Sequence, residues 1–184
     1  MIIGTIREIK NNENRVGLTP TGVKELVAAG HTVLVQETAG IGSGYTDQDY
    51  CDAGAKIMRD PSDVAEKIDI LVKVKEPLRD EYYLLDLMKG KTLFTYLHLS
   101  GVEKSVTKRL LENEITAIAY ETVEDENGRL PLLAPMSEIA GVLAVQYGAQ
   151  YLQKKYDGLG ITMGHITGTD LAHTVVVGGG VAGE

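Results

Sequence analysis

The sequence predicts an α/β chain: a parallel sheet with flanking helices, then one long helix and the opening of a second sheet domain. Three observations carry this expectation. Short apolar runs alternate with amphipathic stretches over residues 1–120, the rhythm of repeated strand-helix-strand units. A segment near residues 135–152 is apolar around most of a helical circumference, which calls for burial, as between two domains. An apolar run at residues 174–177 leads straight into Gly178-Gly179-Gly180-Val181-Ala182-Gly183, a strand meeting a glycine turn.

The elements follow in order. Residues 1–6 read as a strand and residues 8–18 as a polar loop. Thr19-Pro20 supplies an N-cap and a first-turn proline, Val23, Leu26 and Val27 share one face, and Gly30 stops the helix. Residues 31–36 form the second strand. Thr46 caps a short helix ending near Gly54, and residues 55–58 add a small strand. Asp60-Pro61 repeats the cap-and-proline signal. Ile68, Ile70, Val72 and Val74 alternate with Asp69, Leu71, Lys73 and Lys75, a strand closed by Glu76-Pro77. Strands at 92–97 and 116–120 bracket a helix at 102–111, and Glu126-Asn127-Gly128 marks a turn. The long helix runs 135–152, and a glycine-rich connector covers 158–170.

Composition excludes several classes of function. A net charge of −8 argues against a general nucleic-acid or anionic-membrane binder. The single cysteine rules out a disulfide framework and a cysteine-rich zinc module. Cys51 itself, on a short helix, reads as a small buried hydrophobe. No apolar stretch reaches membrane-span length and the N-terminus is no signal peptide, so a soluble, cytoplasmic protein is expected.

In an open parallel sheet, ligands bind beyond the carboxyl ends of the strands. Arg15 lies in the loop after the first strand, Lys75 ends the 68–75 strand, His98 follows the 92–97 strand and Glu121 follows the 116–120 strand. Four exits thus carry a guanidinium, an ammonium, an imidazole and a carboxylate toward one rim. Each has a plainer reading. Arg15 could be a solvated charge, and one of Lys73 and Lys75 a surface lysine. His98 could be a satisfied core histidine, and Glu121 could hold neighbouring backbone. His31, His165 and His173 have no obvious partners and read as structural. Taken together, the rim suits a small anionic substrate with a carbonyl: Arg15 grips a carboxylate bidentately, Lys75 adds charge, and an imidazole moves protons near neutrality. The terminal glycines supply the other reactant. A strand followed by G-x-G-x-x-G is the dinucleotide-binding fingerprint, with glycines permitting close backbone approach to pyrophosphate.

The blocks E-N-R-V-G-L-T-P at 13–20, L-V-K-V-K-E-P at 71–77, L-F-T-Y-L-H-L at 93–99 and L-A-P-M-S-E at 133–138 resemble those of the alanine dehydrogenase family, in order along the whole chain. The resemblance implies a Rossmann-like parallel sheet with flanking helices, followed by a long connecting helix and the start of a second Rossmann domain. It assigns residues 1–130 to a substrate domain and 131–184 to the connecting helix and the beginning of an NAD-binding domain. It further implies reversible oxidative deamination of L-alanine to pyruvate and ammonia with NAD, in a homohexamer, with no metal. Arg15 and Lys75 would hold the substrate carboxylate, His98 would be the acid/base, and Tyr96, Glu121 and Met136 would line the pocket. Ser137, Gly178, Gly180, Val181, Ala182 and Gly183 would meet the cofactor. The family's catalytic aspartate falls outside this sequence, so the chain alone is expected to be inactive.

The chain departs from the family's usual M-G-G-V-P-G at residues 163–168, which read M-G-H-I-T-G. Two alternatives stay open: a non-catalytic binding or assembly module that needs a separate nucleotide-binding partner, and a domain like the first domain of the transhydrogenase alpha subunit. The latter family has an R-I-x-R-A-Q segment where Met136-Ser137-Glu138 stands, and it lacks the histidine matching His98.

Overall fold

Six strands make one parallel sheet: β1 (Ile2–Thr5), β2 (Thr32–Gln36), β3 (Lys56–Met58), β4 (Ile70–Val72), β5 (Thr92–Thr95) and β6 (Thr116–Ala119). Their spatial order is β3-β2-β1-β4-β5-β6, so the chain leaves β1 in one direction and returns at β4 in the other. The crevice where the strand order reverses therefore lies at the carboxyl ends of β1 and β4. The computed structural model describes residues 1–170 and 172–184, in two compact units, Met1–Thr122 and Val123–Glu184.

The first unit holds the whole sheet. Helices α1 (Pro20–Ala28) and α2 (Asp47–Asp52) cover one face through Val23, Val33, Val35, Ala39 and Tyr50. Helices α3 (Pro61–Lys67), α4 (Tyr82–Leu87) and α5 (Lys104–Glu112) cover the other, around Leu34, Ile68, Leu71, Leu85 and Leu93. Strand β2 shows the logic: Val33 and Val35 face one layer and Leu34 the other, the alternation a doubly covered sheet requires. Each such fully buried side chain contributes roughly 1.5–3 kcal/mol.

The caps are those the sequence predicts. Thr19 Oγ1 accepts from the Gly22 amide at 3.2 Å, Asp60 accepts from Ser62 at 2.8 Å, and Thr46 with Asp49 forms a reciprocal capping box. Gly30 and Gly54 end their helices in the left-handed region, at φ 85° and 95°. The Asp125 to Arg129 turn closes through Gly128 at φ 71°.

Four differences from the sequence reading stand out. Helix α4 was not expected; its Leu84, Leu85 and the following Met88 are buried. Cys51 is exposed rather than buried, because its neighbour Tyr50 takes the inward position of α2. The 68–75 run is a regular strand only over Ile70–Val72, although its hydrogen bonds to the β5 run continue at Lys73 and Val74, and Lys73 is buried rather than a surface lysine. The fourth difference concerns the second unit. Helix α6 (Ala134–Tyr151) forms where expected, yet none of its residues is buried, and Val142, Val145 and Tyr147 are all more than half exposed. Residues 174–177 form no strand, and Val177 is 96% exposed. A parallel strand exists only where a neighbour pairs with it, and residues 174–177 have no ladder partner among the described residues.

Candidate active site

The exits of β1, β4, β5 and β6 converge on one edge of the first unit, and each brings polar groups. Past β1, a cleft of about 470 Å³ is lined by Glu8, Glu13, Asn14, Arg15 and Thr38 among others. Arg15 grips Glu13 bidentately there, Nε to Oε1 at 2.8 Å and Nη2 to Oε2 at 2.6 Å. That hydrogen bond is the first cause of a Glu13 carboxyl held below its ordinary range, and the Lys75 ammonium lowers it further. The same pairing raises the Arg15 guanidinium. Arg15 and Lys75 therefore bring two cations within electrostatic reach of one carboxylate.

The loop carrying Arg15 is seated by Gly17. A Cβ at this position would lie 2.5 Å from the Val72 carbonyl oxygen, a backbone atom of β4 that has no room to yield. Only glycine lets the loop lie this close to the central strands.

Beyond β4, Lys73 is buried and donates to Glu8 Oε2 at 3.2 Å and to Glu81 Oε1 at 2.6 Å. Side-chain exposures of 1%, 2% and 6% for Lys73, Glu8 and Glu81 make this a closed ion-pair triad. Burial pushes the Glu8 carboxyl up, against the opposing pull of Lys73 and of the Val74 amide. Glu8 Oε1 also accepts from the amides of Val74 (2.6 Å) and Lys75 (3.3 Å), while Thr95 Oγ1 donates to the Lys75 carbonyl at 3.0 Å. The Lys75 backbone is thus held from β1 on one side and from β5 on the other. A second ion pair, Lys10 with Glu76, braces the same loop.

Past β5, Tyr96 is half-buried beneath Lys75, whose Nζ stands 6.0 Å from the ring centre, the outer limit of a cation–π contact. Tyr96 packs edge-on to Tyr120, with centroids 4.8 Å apart, and Tyr120 meets Phe94 at 4.3 Å. Burial, with Tyr96 and Glu8 adding to it, raises the Tyr120 phenol well above its ordinary value. His98 is exposed and has φ 46°, left-handed for a non-glycine residue. Glu121 does not stand in open space: its carboxylate accepts from the His98 amide at 2.6 Å and the Leu97 amide at 3.3 Å.

Arg15, Lys75, Tyr96, His98 and Glu121 accordingly sit on one edge of the first unit. Met136, Ser137 and the terminal glycines belong to the second. There Met136 and Ser137 lie in the first turn of α6, and Gly183 and Glu184 both donate to the Gly180 carbonyl, closing a tight turn. A Cβ on Gly141 of α6 would come within 2.6 Å of the Ala182 carbonyl, so this turn lies against the helix. Gly178 has φ 107°, and a Cβ on Gly179 or Gly180 would meet nothing within 4 Å. This open glycine backbone suits the close approach of a pyrophosphate.

Sequence reasoning missed Glu8, Glu13, Lys73, Glu81 and Tyr120. The signal for Glu13 was available, since it stands two residues before Arg15 in the same block. The triad was not legible, because Glu8, Lys73 and Glu81 are brought together only by the pairing of β1 with β4.

The chain is similar to several known proteins. The family model "Alanine dehydrogenase/PNT, N-terminal domain" matches residues 4–140, and "Alanine dehydrogenase/PNT, C-terminal domain" matches residues 144–184. An alanine dehydrogenase of Methanococcus maripaludis and one of Staphylococcus saprophyticus are each 50% identical over 183 residues, covering 100% of this chain and 48% of the relative. A solved L-alanine dehydrogenase superposes with a TM-score of 0.86 at 50% identity, over 100% of this chain and 50% of that one. The transhydrogenase of Sinorhizobium meliloti shares the fold, with a TM-score of 0.69 at 24% identity over 80% of this chain and 44% of that one. The chain spans about half the length of the curated relatives it matches.

Proposed function

The chain belongs to the alanine dehydrogenase/PNT family, and from that premise we propose that it carries the substrate side of an NAD-dependent alanine dehydrogenase. The reaction is reversible oxidative deamination of L-alanine to pyruvate and ammonia, in a cytoplasmic homohexamer. Residues 1–130 act as the substrate domain, and 131–184 as the connecting helix and the opening of the NAD-binding domain. One observation carries the reading: Arg15 grips a carboxylate bidentately while Lys75 bears on the same group. Glu13 occupies that position in the structure, and an amino acid or keto acid presents the same chemistry.

Arg15 holds the substrate carboxylate and Lys75 turns the reacting carbon toward the rim. Tyr96, Glu121 and Met136 bound the pocket. His98 takes a proton from the water that adds to the imine and gives one to the amine leaving the carbinolamine, with the two transfers reversed in reductive amination. The nicotinamide, when bound, supplies the hydride acceptor, and Ser137, Gly178, Gly180, Val181, Ala182 and Gly183 are the residues that would hold its cofactor. The 50% identity to alanine dehydrogenases supports this over a transhydrogenase role, for which the likeness is one of fold. Steady-state kinetics of His98→Ala in the intact enzyme tests the assignment. A loss of about 10²–10⁴ in kcat is expected for a removed acid/base group, and a near-normal rate would sink it.

A narrower reading applies to the 184 residues by themselves. Residues 174–177 pair with no strand among the described residues, which supports a binding or assembly module that needs a separate nucleotide-binding partner. Tight, saturable NAD binding by this chain alone would contradict it.

A further inference from the structure

We infer that Glu121, besides bounding the pocket, is a positioning residue for His98, acting through backbone; this rests on the reading of His98 as the acid/base. Glu121 leaves the end of β6, one strand over from the β5 exit that carries His98. Its two carboxylate oxygens take two consecutive amides, Oε1 that of His98 at 2.6 Å and Oε2 that of Leu97 at 3.3 Å. Successive amides pointing into one concavity form an anion nest, which requires a left-handed residue beside them. His98 supplies it, at φ 46°. Few non-glycine residues adopt that region, and the carboxylate spanning the two amides stabilises His98 there.

The ring also lies against the turn that follows it. Gly101 donates to the His98 carbonyl at 2.8 Å, closing a turn over residues 98–101. A Cβ on Gly101 would lie 2.6 Å from His98 Cδ2 and 2.7 Å from Nε2. The imidazole therefore lies against bare glycine backbone, and its direction is set by the turn on one side and the Glu121 clamp on the other. The adjacent exit uses the same device, with Glu8 accepting from Val74 and Lys75. Glu121 differs in being bonded to the His98 loop alone in the contacts described, so replacing it leaves the buried triad untouched.

Nuclear magnetic resonance of the 184-residue chain, with pyruvate as the probe ligand, tests the inference. Glu121→Gln is expected to lower hydrogen-exchange protection of the His98 amide about tenfold or more, as for a lost charge-assisted bond. It also shifts the His98 ring resonances while amides of β1 to β4 keep theirs. Pyruvate moves the His98 ring resonances in the wild type and fails to do so in the variant. Gly101→Ala shifts the ring while the Leu97 and His98 amides stay protected. Unchanged amide protection in Glu121→Gln, or a pyruvate response of the ring that survives it intact, would overturn the inference. Should that variant not fold, a coupling between the His98 amide nitrogen and the Glu121 carboxyl carbon in the wild type decides, its absence being contrary. If pyruvate perturbs none of Arg15, Lys75 and His98 in the wild type, the substrate reading fails, while the unliganded resonances still judge Glu121.

Discussion

Lys73 holds its ammonium between Glu8 and Glu81 where water does not reach, so three ionised groups depend on one another. Replacing it with methionine leaves two buried carboxylates without their cation, an imbalance that costs about 3–5 kcal/mol. The pH dependence follows from Glu8, whose carboxyl burial raises above its ordinary value. A raised carboxyl keeps its proton longer in the folded state, so stability falls as pH rises from the ordinary value through the raised one. Lys73 opposes that rise, and Lys73→Met therefore raises Glu8 further. Denaturant titrations of Lys73→Met should show a deficit that is largest at neutral pH and shrinks as the pH is lowered toward the carboxylate range. A deficit independent of pH would refute the triad as its cause. At this scale the sequence showed the groups with local signatures, Arg15 in its polar loop and His98 after its strand. It hid the groups that answer them across the sheet, because Glu8 and Lys73 are 65 residues apart in sequence.

The loops between elements carry the chemistry, and their seating is where single substitutions act at a distance. Gly17→Ala puts a methyl against the Val72 carbonyl, only 2.5 Å away, and lifts the Arg15 loop from the strand ends. A misplacement of about 1 Å can cost on the order of 100-fold in rate, so kcat/KM for L-alanine should fall by that order while the thermal midpoint changes less than for a core substitution. Unchanged kinetics would mean that the loop does not position Arg15. By contrast, Thr46→Ala removes the capping box of α2 and should lower stability by about 1 kcal/mol in a denaturant melt, with kcat/KM unchanged. Caps and strand periods were legible in sequence because their causes are local: Thr19-Pro20 and Asp60-Pro61 start helices through their own backbone chemistry. Helix α4 was not, since its six residues have too short a period to separate from a loop. The run at 174–177 failed for the opposite reason: its strand propensity is evident, but pairing is supplied by neighbours, not by composition.

Across the whole molecule, the sheet is covered on both faces by its own helices, whereas α6 exposes apolar side chains around its circumference, among them Ile139, Val142, Val145 and Tyr151. Apolar area of this extent marks an interaction surface, so the 184-residue chain should enhance the fluorescence of a hydrophobic dye. Joining it to the C-terminal half of its Methanococcus maripaludis relative should reduce that signal, and an unchanged signal would show that this half does not cover α6. The same joined polypeptide gives the most direct test of the account. Absorbance of NADH is followed on adding L-alanine and NAD, with Arg15→Ala alongside. NADH formation that saturates with L-alanine is expected, with a much weakened response to L-alanine in Arg15→Ala. A folded polypeptide that binds NAD and yet reduces none of it with L-alanine would contradict the account.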